Sequence, residues 1–369
     1  MGIKSQLEQL AKSPEIGEWF RSQYTEFPPL IYHSADIRNA GYKIAPVDVN
    51  VFPAGFNNLS EDGIKKAISI IKGKFPPSSN ILIILENHTR NVNYLRSAAT
   101  LQRIFTEAGM NATLVNTLEN QSLSEELEIH QLNKTHIANA NYIILNNDLT
   151  TGIPDILTDI KTLPPTQMGW HSRKKSHHFE QYDKIATKFC TEFNIDPWLI
   201  SSYWHKCGNI DFRKKEGLEC VARNVEKLLH KIRKKHAEYG VTDEPYVFVK
   251  ADNGTYGMGI MVVKSGEEIF AINKKNRNKM NMVKEGVQNT AVIIQEGIPT
   301  VDAVDGHPAE NLIYIMNGEP IEDIRRINAN RDRFSSLNTA GMTFSPDSQI
   351  HPALEIIAKL SIIATSMEL

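Results

Sequence analysis

The residues best equipped for chemistry lie where Tyr246-Val247-Phe248-Val249-Lys250 runs into Ala251-Asp252-Asn253-Gly254-Thr255-Tyr256-Gly257-Met258-Gly259, followed by Ile260-Met261-Val262-Val263. The pattern reads as strand, glycine-rich loop, strand. Glycines at 254, 257 and 259 let the backbone gather several N–H groups around an anion. Lys250, at the end of the first strand, adds a point charge suited to phosphate oxygens. The order of parts narrows the choice. A Walker A loop carries its lysine after the glycines and leads into a helix, and a dinucleotide-binding loop also leads into a helix. Protein kinases place the phosphate-pairing lysine after their glycine hairpin. Two readings remain: a lysine-bearing strand feeding a phosphate lid, or a plain hairpin whose glycines only serve the turn. Three glycines between 254 and 259 exceed what a two-residue turn requires.

Further polar groups follow at intervals. Ala291-Val292-Ile293-Ile294 ends in Gln295-Glu296 and a Gly-containing bend at Gly297-Ile298-Pro299, an edge able to offer backbone groups to an adenine and a carboxylate to ribose hydroxyls. Lys274-Lys275-Asn276-Arg277-Asn278-Lys279 is basic, either folding over a polyphosphate or simply solvated. A hairpin spans 310–321 with Asn317-Gly318 as its turn. Its second strand reaches Arg325-Arg326, and Ser336-Leu337-Asn338-Thr339-Ala340-Gly341 supplies a small-residue loop able to approach a substrate. Near the N-terminus, Arg38, Lys43, Asp48, Asn50, Asn57 and Asn58 offer a cation, an acid and amides within a short stretch. A zwitterionic amino acid needs all three, although Asn-rich turns also bond their own backbone.

These groups need a scaffold. Ile81-Leu82-Ile83-Ile84-Leu85 reads as a strand buried on both faces, residues 92–108 as an amphipathic helix stopped by Gly109, and 112–115 and 142–145 as further strands. This predicts a parallel unit, with Asn87, His88, Arg90 and Asn91 on its ligand-binding edge. Residues 164–240 read as mostly helical, with Arg173-Lys174-Lys175 and Arg233-Lys234-Lys235 as solvated helix faces in preference to anion-binding sites, and His177-His178 too closely spaced to share a metal. A terminal helix is expected from Pro352, with Ile356, Leu360, Ile363 and Met367 on one side. The expected division is 1–165 as an α/β substrate-side domain, 166–240 as a helical connector and 241–369 as a nucleotide-binding domain.

Composition sets outer limits. The 369 residues carry 41 Lys+Arg and 43 Asp+Glu, a net charge of −2, which gives no basic field for nucleic acid or an anionic membrane. Hydrophobic residues make up 41% and charged residues 23%, the balance of an ordinary globular chain. Cys190, Cys207 and Cys220 show neither zinc-binding spacing nor an even disulfide set, so a reducing cytoplasm is expected. No apolar run is long enough to span a bilayer. Association into a homo-oligomer is left open.

Taken together, Lys250, the glycine lid, Gln295-Glu296, the 310–318 hairpin, Arg325-Arg326 and the loop 338–341 resemble an ATP-grasp domain of the glutathione-synthetase branch. The segment 42–59 resembles the proteobacterial ATP-grasp-type glutamate–cysteine ligases. The resemblance implies an α/β fold, with an N-terminal parallel-sheet domain of the pre-ATP-grasp kind and a C-terminal ATP-grasp α+β domain. It implies a ligase using ATP and Mg²⁺ to join glutamate and cysteine through an acyl phosphate, in the first step of glutathione biosynthesis. Other ATP-grasp amino-acid ligases, or a non-catalytic nucleotide-binding module, are the alternatives. Lys250, Gly254, Thr255, Tyr256 and Gly257 would take the phosphates, and Gln295 and Glu296 the adenosine. Arg325 or Arg326 would stabilise the acyl phosphate, and Asn338 would face substrate or metal. Arg38, Lys43, Asp48, Asn50 and Asn57 would form the amino-acid side. Such enzymes carry metal-binding acids on strands beyond the terminal helix, where this sequence stops. Either later strands are missing from it or the ligands come from elsewhere, so no metal residue is assigned.

Overall fold

The computed structural model describes residues 2–87, 91–117, 127–253, 259–281, 289–347 and 349–369. Helices α1 (Ile3–Leu10) and α2 (Pro14–Glu26) lead into the antiparallel strands β1 (Tyr32–Asn39) and β2 (Ile44–Asn50), and α3 (Glu61–Lys74) follows. Ser60 caps α3 by accepting from Gly63 N at 3.1 Å, with Glu61 and Asp62 in its first turn and Lys72 and Lys74 in its last.

A parallel unit comes next: β3 (Asn80–Leu85), α4 (Val92–Glu107), β4 (Asn111–Asn116), β5 (Ile129–Gln131), α5 (Lys134–Asn139) and β6 (Tyr142–Asn146). The sheet order is β5-β4-β3-β6, all parallel. The expected strands and helix are present, and α4 begins where Asn91 Oδ1 accepts from Asn93 N and Tyr94 N.

The chain continues through α6 (Lys175–Phe193), β7 (Trp204–Gly208), α7 (Leu218–Tyr239), β8 (Val247–Ala251), β9 (Ile260–Val263), α8 (Lys274–Asn281) and β10 (Ala291–Glu296). Strands β7-β10-β8-β9 form an antiparallel sheet. Its back face, with Cys207, Val247, Val249, Val292 and Ile294, packs on Val221, Val225, Leu228 and Leu229 of α7. Side chains alternate along a strand, so the front face carries Lys206, Phe248, Lys250, Ile293 and Gln295.

Finally β11 (Ala303–Val304), β12 (His307–Met316), β13 (Glu319–Ile327), β14 (Thr343–Asp347) and α9 (Pro352–Ser366) complete the described fold. The turn between β12 and β13 is the expected Asn317-Gly318, with φ of 44° and 88°, the left-handed pair a tight hairpin needs. Helix α9 starts at Pro352, and its Ile356, Leu360 and Ile363 are buried against α1, α2, α6 and the β1–β2 face.

Strand β12 also pairs with β1, giving the sheet order β14-β13-β12-β1-β2 with β11 at the side of β12. The sheet therefore joins residues 32–50 to residues 303–347, across the divisions expected at 165/166 and 240/241. Among the described residues no helix is long and apolar enough to cross a membrane.

Candidate active site

Lys250 stands at the end of β8 on the sheet's front face, where it meets the six-stranded sheet across a narrow cleft. Asp36, Arg38, Val47, Asp48, Phe248, Lys250, Ile260, Glu310, Arg326, Ser336 and Asn338 line it. Five residues expected from sequence, Arg38, Asp48, Lys250, Arg326 and Asn338, thus converge from five separate segments.

Their charges are arranged around one buried carboxylate. Glu310 Oε2 accepts from Arg38 Nε at 2.7 Å, and Glu310 Oε1 accepts from Arg326 Nη1 at 2.6 Å. Arg326 Nη1 also donates to Asp36 Oδ2 at 2.7 Å. Burial raises the Glu310 carboxyl, but Arg38 and Arg326 outweigh it and hold the group below the usual range. Asp36 goes the other way. Burial outweighs Arg326, and the neighbouring charges of Glu310 and Asp48 push it further up. Arg38 is consumed by Glu310 and by the carbonyls of Ile298 and Ser335. Arg326 is not, because its Nε is buried with no acceptor among the described residues. An orphaned guanidinium N–H fits an anion arriving in the cleft.

Among the described residues Lys250 has no carboxylate in hydrogen-bond contact. Its ammonium donates to Val47 O at 3.0 Å and Gln295 Oε1 at 2.8 Å, and burial pushes it down to about 8. Asp48 lies near but bonds Lys175. Burial raises the Asp48 carboxyl, yet Lys175 and Lys250 together hold it low. Asp252, two residues after Lys250, fixes this end of the strand. It accepts from Ser176 N at 2.8 Å and Ser176 Oγ at 2.9 Å, at the N-terminus of α6. The four expected residues Gly254, Thr255, Tyr256 and Gly257 lie outside the described residues.

Other expected residues sit elsewhere. Lys43 and Glu296 form a buried ion pair at 2.7 Å, each side chain 1% exposed. Glu296 also accepts from Trp198 Nε1 and Tyr203 N, which occupies both its oxygens. Gln295 points to the front face and donates to Ser202 Oγ. Adjacent residues of a strand face opposite ways, and this separates the two arginines. Arg326 faces the cleft, while Arg325 faces a cavity behind the sheet with Lys4, Asp302, Asp347 and His351. Asn50 accepts from Phe52 N, and Asn57 donates to Asn58, so both serve local turns. Asn87 lines a small polar pocket with Thr117 and Asn147 at the C-terminal ends of the parallel strands. Asn91 is the α4 cap, and His88 and Arg90 lie outside the described residues.

Several groups escaped the sequence reading. Lys206 on β7 and Lys250 on β8 both lie opposite Ile293 of β10, so the two lysines share the front face; Lys206 is 50% exposed and forms an ion pair with the buried Asp252 Oδ2 at 3.4 Å. Its only sequence signal was the short alternation in Trp204-His205-Lys206-Cys207. Arg173 and Lys175 were expected on a solvated face. Both are buried, Arg173 on Glu368 at 2.7 and 2.8 Å and Lys175 on Asp48. Arg233 and Lys234 are exposed as expected.

Among the described residues no group of three or more His, Cys, Asp or Glu could hold a metal ion. The cleft carboxylates Asp36, Asp48 and Glu310 each bond a cation. The described side chains therefore do not fit Mg²⁺ as a protein-caged ion.

A family model described as glutamate–cysteine ligase matches residues 7–369. No curated protein sequence matches. Among solved structures, the chain is similar to a Methylobacillus flagellatus KT protein assigned as a gamma-glutamylcysteine synthetase. The identity is 37% and the TM-score 0.86, with 98% of this chain and 95% of that one covered. A D-alanyl-alanine synthetase A from Vibrio cholerae matches at 12% identity and a TM-score of 0.33, over 79% and 82% of the two chains.

Proposed function

The chain belongs to the glutamate–cysteine ligase family, and from that premise we propose that the cleft between its two antiparallel sheets binds ATP in the ATP-grasp manner. The protein is an ATP-dependent ligase that forms γ-glutamylcysteine. A free carboxylate acylates poorly because oxide would have to leave, so phosphorylation must come first. In our reading, the glutamate side-chain carboxylate attacks the γ-phosphorus of ATP and ADP departs. The cysteine amine then attacks the acyl carbon, inorganic phosphate leaves and the amine gives up a proton.

The residues act mainly by positioning and by neutralising charge on the moving phosphoryl group. Lys250 and Lys206, aligned across β10, take the polyphosphate. Arg326 directs its free Nε at the acyl phosphate, with Glu310 and Asp36 fixing the plane of its guanidinium. Asp36, the less tightly neutralised of the two, is the acid for a substrate ammonium, and Asn338 closes the rim. Magnesium would arrive with the nucleotide phosphates. A cytoplasmic setting, where ATP and both amino acids are available, suits the chemistry.

The observation that carries this reading is the convergence of Lys250 and the unsatisfied Arg326 Nε on one cleft. Phosphate release should be measured with ATP, Mg²⁺ and glutamate, with and without cysteine, and the product identified by mass. Release that depends on cysteine and yields γ-glutamylcysteine is expected. ATP binding without amine-dependent release, or faster turnover with another amine, would overturn the assignment.

A further inference from the structure

Two of the three cysteines touch. Cys207 on β7 and Cys220 in the first turn of α7 have their sulfurs 3.9 Å apart. Asn224, one turn along α7, places Nδ2 3.2 Å from Cys207 Sγ and 3.4 Å from Cys220 Sγ. A disulfide needs its sulfurs about 2.05 Å apart, so closure requires a movement of about 2 Å. Cys207 is buried and Cys220 half-buried, so Cys220 is the more accessible residue of the pair. Cys190 is buried in the core shared by α2, α6 and α9, apart from the pair.

We propose that Cys207 and Cys220 form a modification site for low-molecular-weight disulfides, closing to a reversible internal disulfide that weakens nucleotide binding through β7. In the first step the Cys220 thiol loses its proton and attacks one sulfur of the oxidant R–S–S–R. The oxidant's bond breaks, a mixed disulfide forms on Cys220 and R–S⁻ departs to take up a proton. In the second step the Cys207 thiol loses its proton and attacks the Cys220 sulfur, expelling the second R–S⁻. Two protein thiols are oxidised and one small disulfide is reduced to two thiols. Burial pushes the Cys207 thiol up to about 11, which favours this order of attack.

The direction of the effect follows from the alternation on β7. Cys207 faces α7 and its neighbour Lys206 lies on the opposite, front face, with its Nζ 3.4 Å from Asp252 Oδ2, so drawing Cys207 toward Cys220 draws Lys206 away from Asp252 and from the proposed polyphosphate site. Strand β7 also pairs with β10 along Ala291–Gln295, and Gln295 holds Lys250. The nucleotide effect rests on the proposed ligase reading; the chemistry of the thiol pair does not. Cystine, the disulfide of this enzyme's own thiol substrate, is the natural probe, and its rise would coincide with a shortage of usable cysteine.

The full chain would be treated with cystine, alkylated and digested, and its peptides weighed. We expect a Cys207–Cys220 cross-link with Cys190 alkylated. Cys207→Ser should stop at a cysteine adduct on Cys220, and Cys220→Ser should leave Cys207 unmodified. By calorimetry, ATP affinity should fall severalfold in the oxidised wild type, recover with dithiothreitol and stay constant in Cys220→Ser. Absence of the cross-link, reaction of Cys207 in Cys220→Ser, or a cross-link without loss of ATP affinity would each overturn the proposal. A reduced enzyme that binds no ATP would instead sink the ligase reading, and the nucleotide half of this proposal with it, while the mass result would still stand or fall by itself.

Discussion

Raising the pH from about 7 to about 9 should weaken ATP binding about tenfold, through loss of the proton on Lys250. Burial pushes this ammonium from 10.5 down to about 8, with Asp48 pulling it up and Lys175 and Arg38 pushing it further down. A polyphosphate beside it favours the charged form and should return it toward its ordinary value. Near pH 7 the free enzyme then keeps roughly nine-tenths of its Lys250 protonated, and near pH 9 only about one-tenth, while the complex keeps nearly all. The ratio is about tenfold in affinity, or about 1.4 kcal/mol. The sign is fixed by the depressed value: binding strength is full well below 8 and is lost as the pH rises through 8. Lys43 is also pushed down to about 8, but it is locked on Glu296 away from the cleft. Lys250→Arg separates the two, because a guanidinium stays charged throughout while Lys43 is left in place. Calorimetric dissociation constants for ATP, without glutamate or cysteine, should rise with pH in the wild type and stay flat in Lys250→Arg. A flat wild type, or an equal slope in the variant, would refute the assignment of Lys250 to the phosphates.

The two adjacent arginines make a second test: Arg326→Lys should lower turnover by about 10²-fold, whereas Arg325→Lys, altering the opposite face, should stay near wild type. Equal losses in steady-state rates would remove the special role of Arg326. At the end of the described chain, burial raises the Glu368 carboxyl, but Arg173 and then His178 outweigh it and hold it at about 2 against an ordinary 4.5. Its contribution to stability is therefore present above 4.5 and lost as the pH falls toward 2. Glu368→Gln should cost about 3 kcal/mol at neutral pH, measured by urea unfolding; a loss below about 1 kcal/mol would count against a buried pair of this strength.

How much of this was readable beforehand depended on the range of the forces involved. Lys250 ahead of its glycines, the Asn317-Gly318 turn and the Ile81–Leu85 strand are local patterns, and local dihedral preferences and periodicity decide them. The ambiguity between Arg325 and Arg326 was not soluble from sequence. Alternation says that the two point apart, but only the packing of the sheet says which one meets the cleft. Lys43 and Glu296 both have the chemistry of site residues, yet they neutralise each other across a sequence separation of 253. The basic run at 173–175 misled for the same reason, since Glu368 and Asp48 are remote in sequence. Lys206 was hidden because a five-residue strand between two long helices carries too few alternations to stand out.

The pairing of β1 with β12 also shapes how the molecule comes into being. Tyr32 lies opposite Met316 and Ile37 opposite Asn311, so on a ribosome adding roughly 5–20 residues per second the early hairpin waits roughly 15–60 s for its neighbour. During that interval one edge of β1 presents unmet backbone donors and acceptors to every other nascent chain nearby. The β12 strand of one polypeptide could then dock on β1 of another before its own. Arg38 and Glu310 cannot meet until the proper partner arrives, so the capacity for catalysis appears only in a late step of maturation.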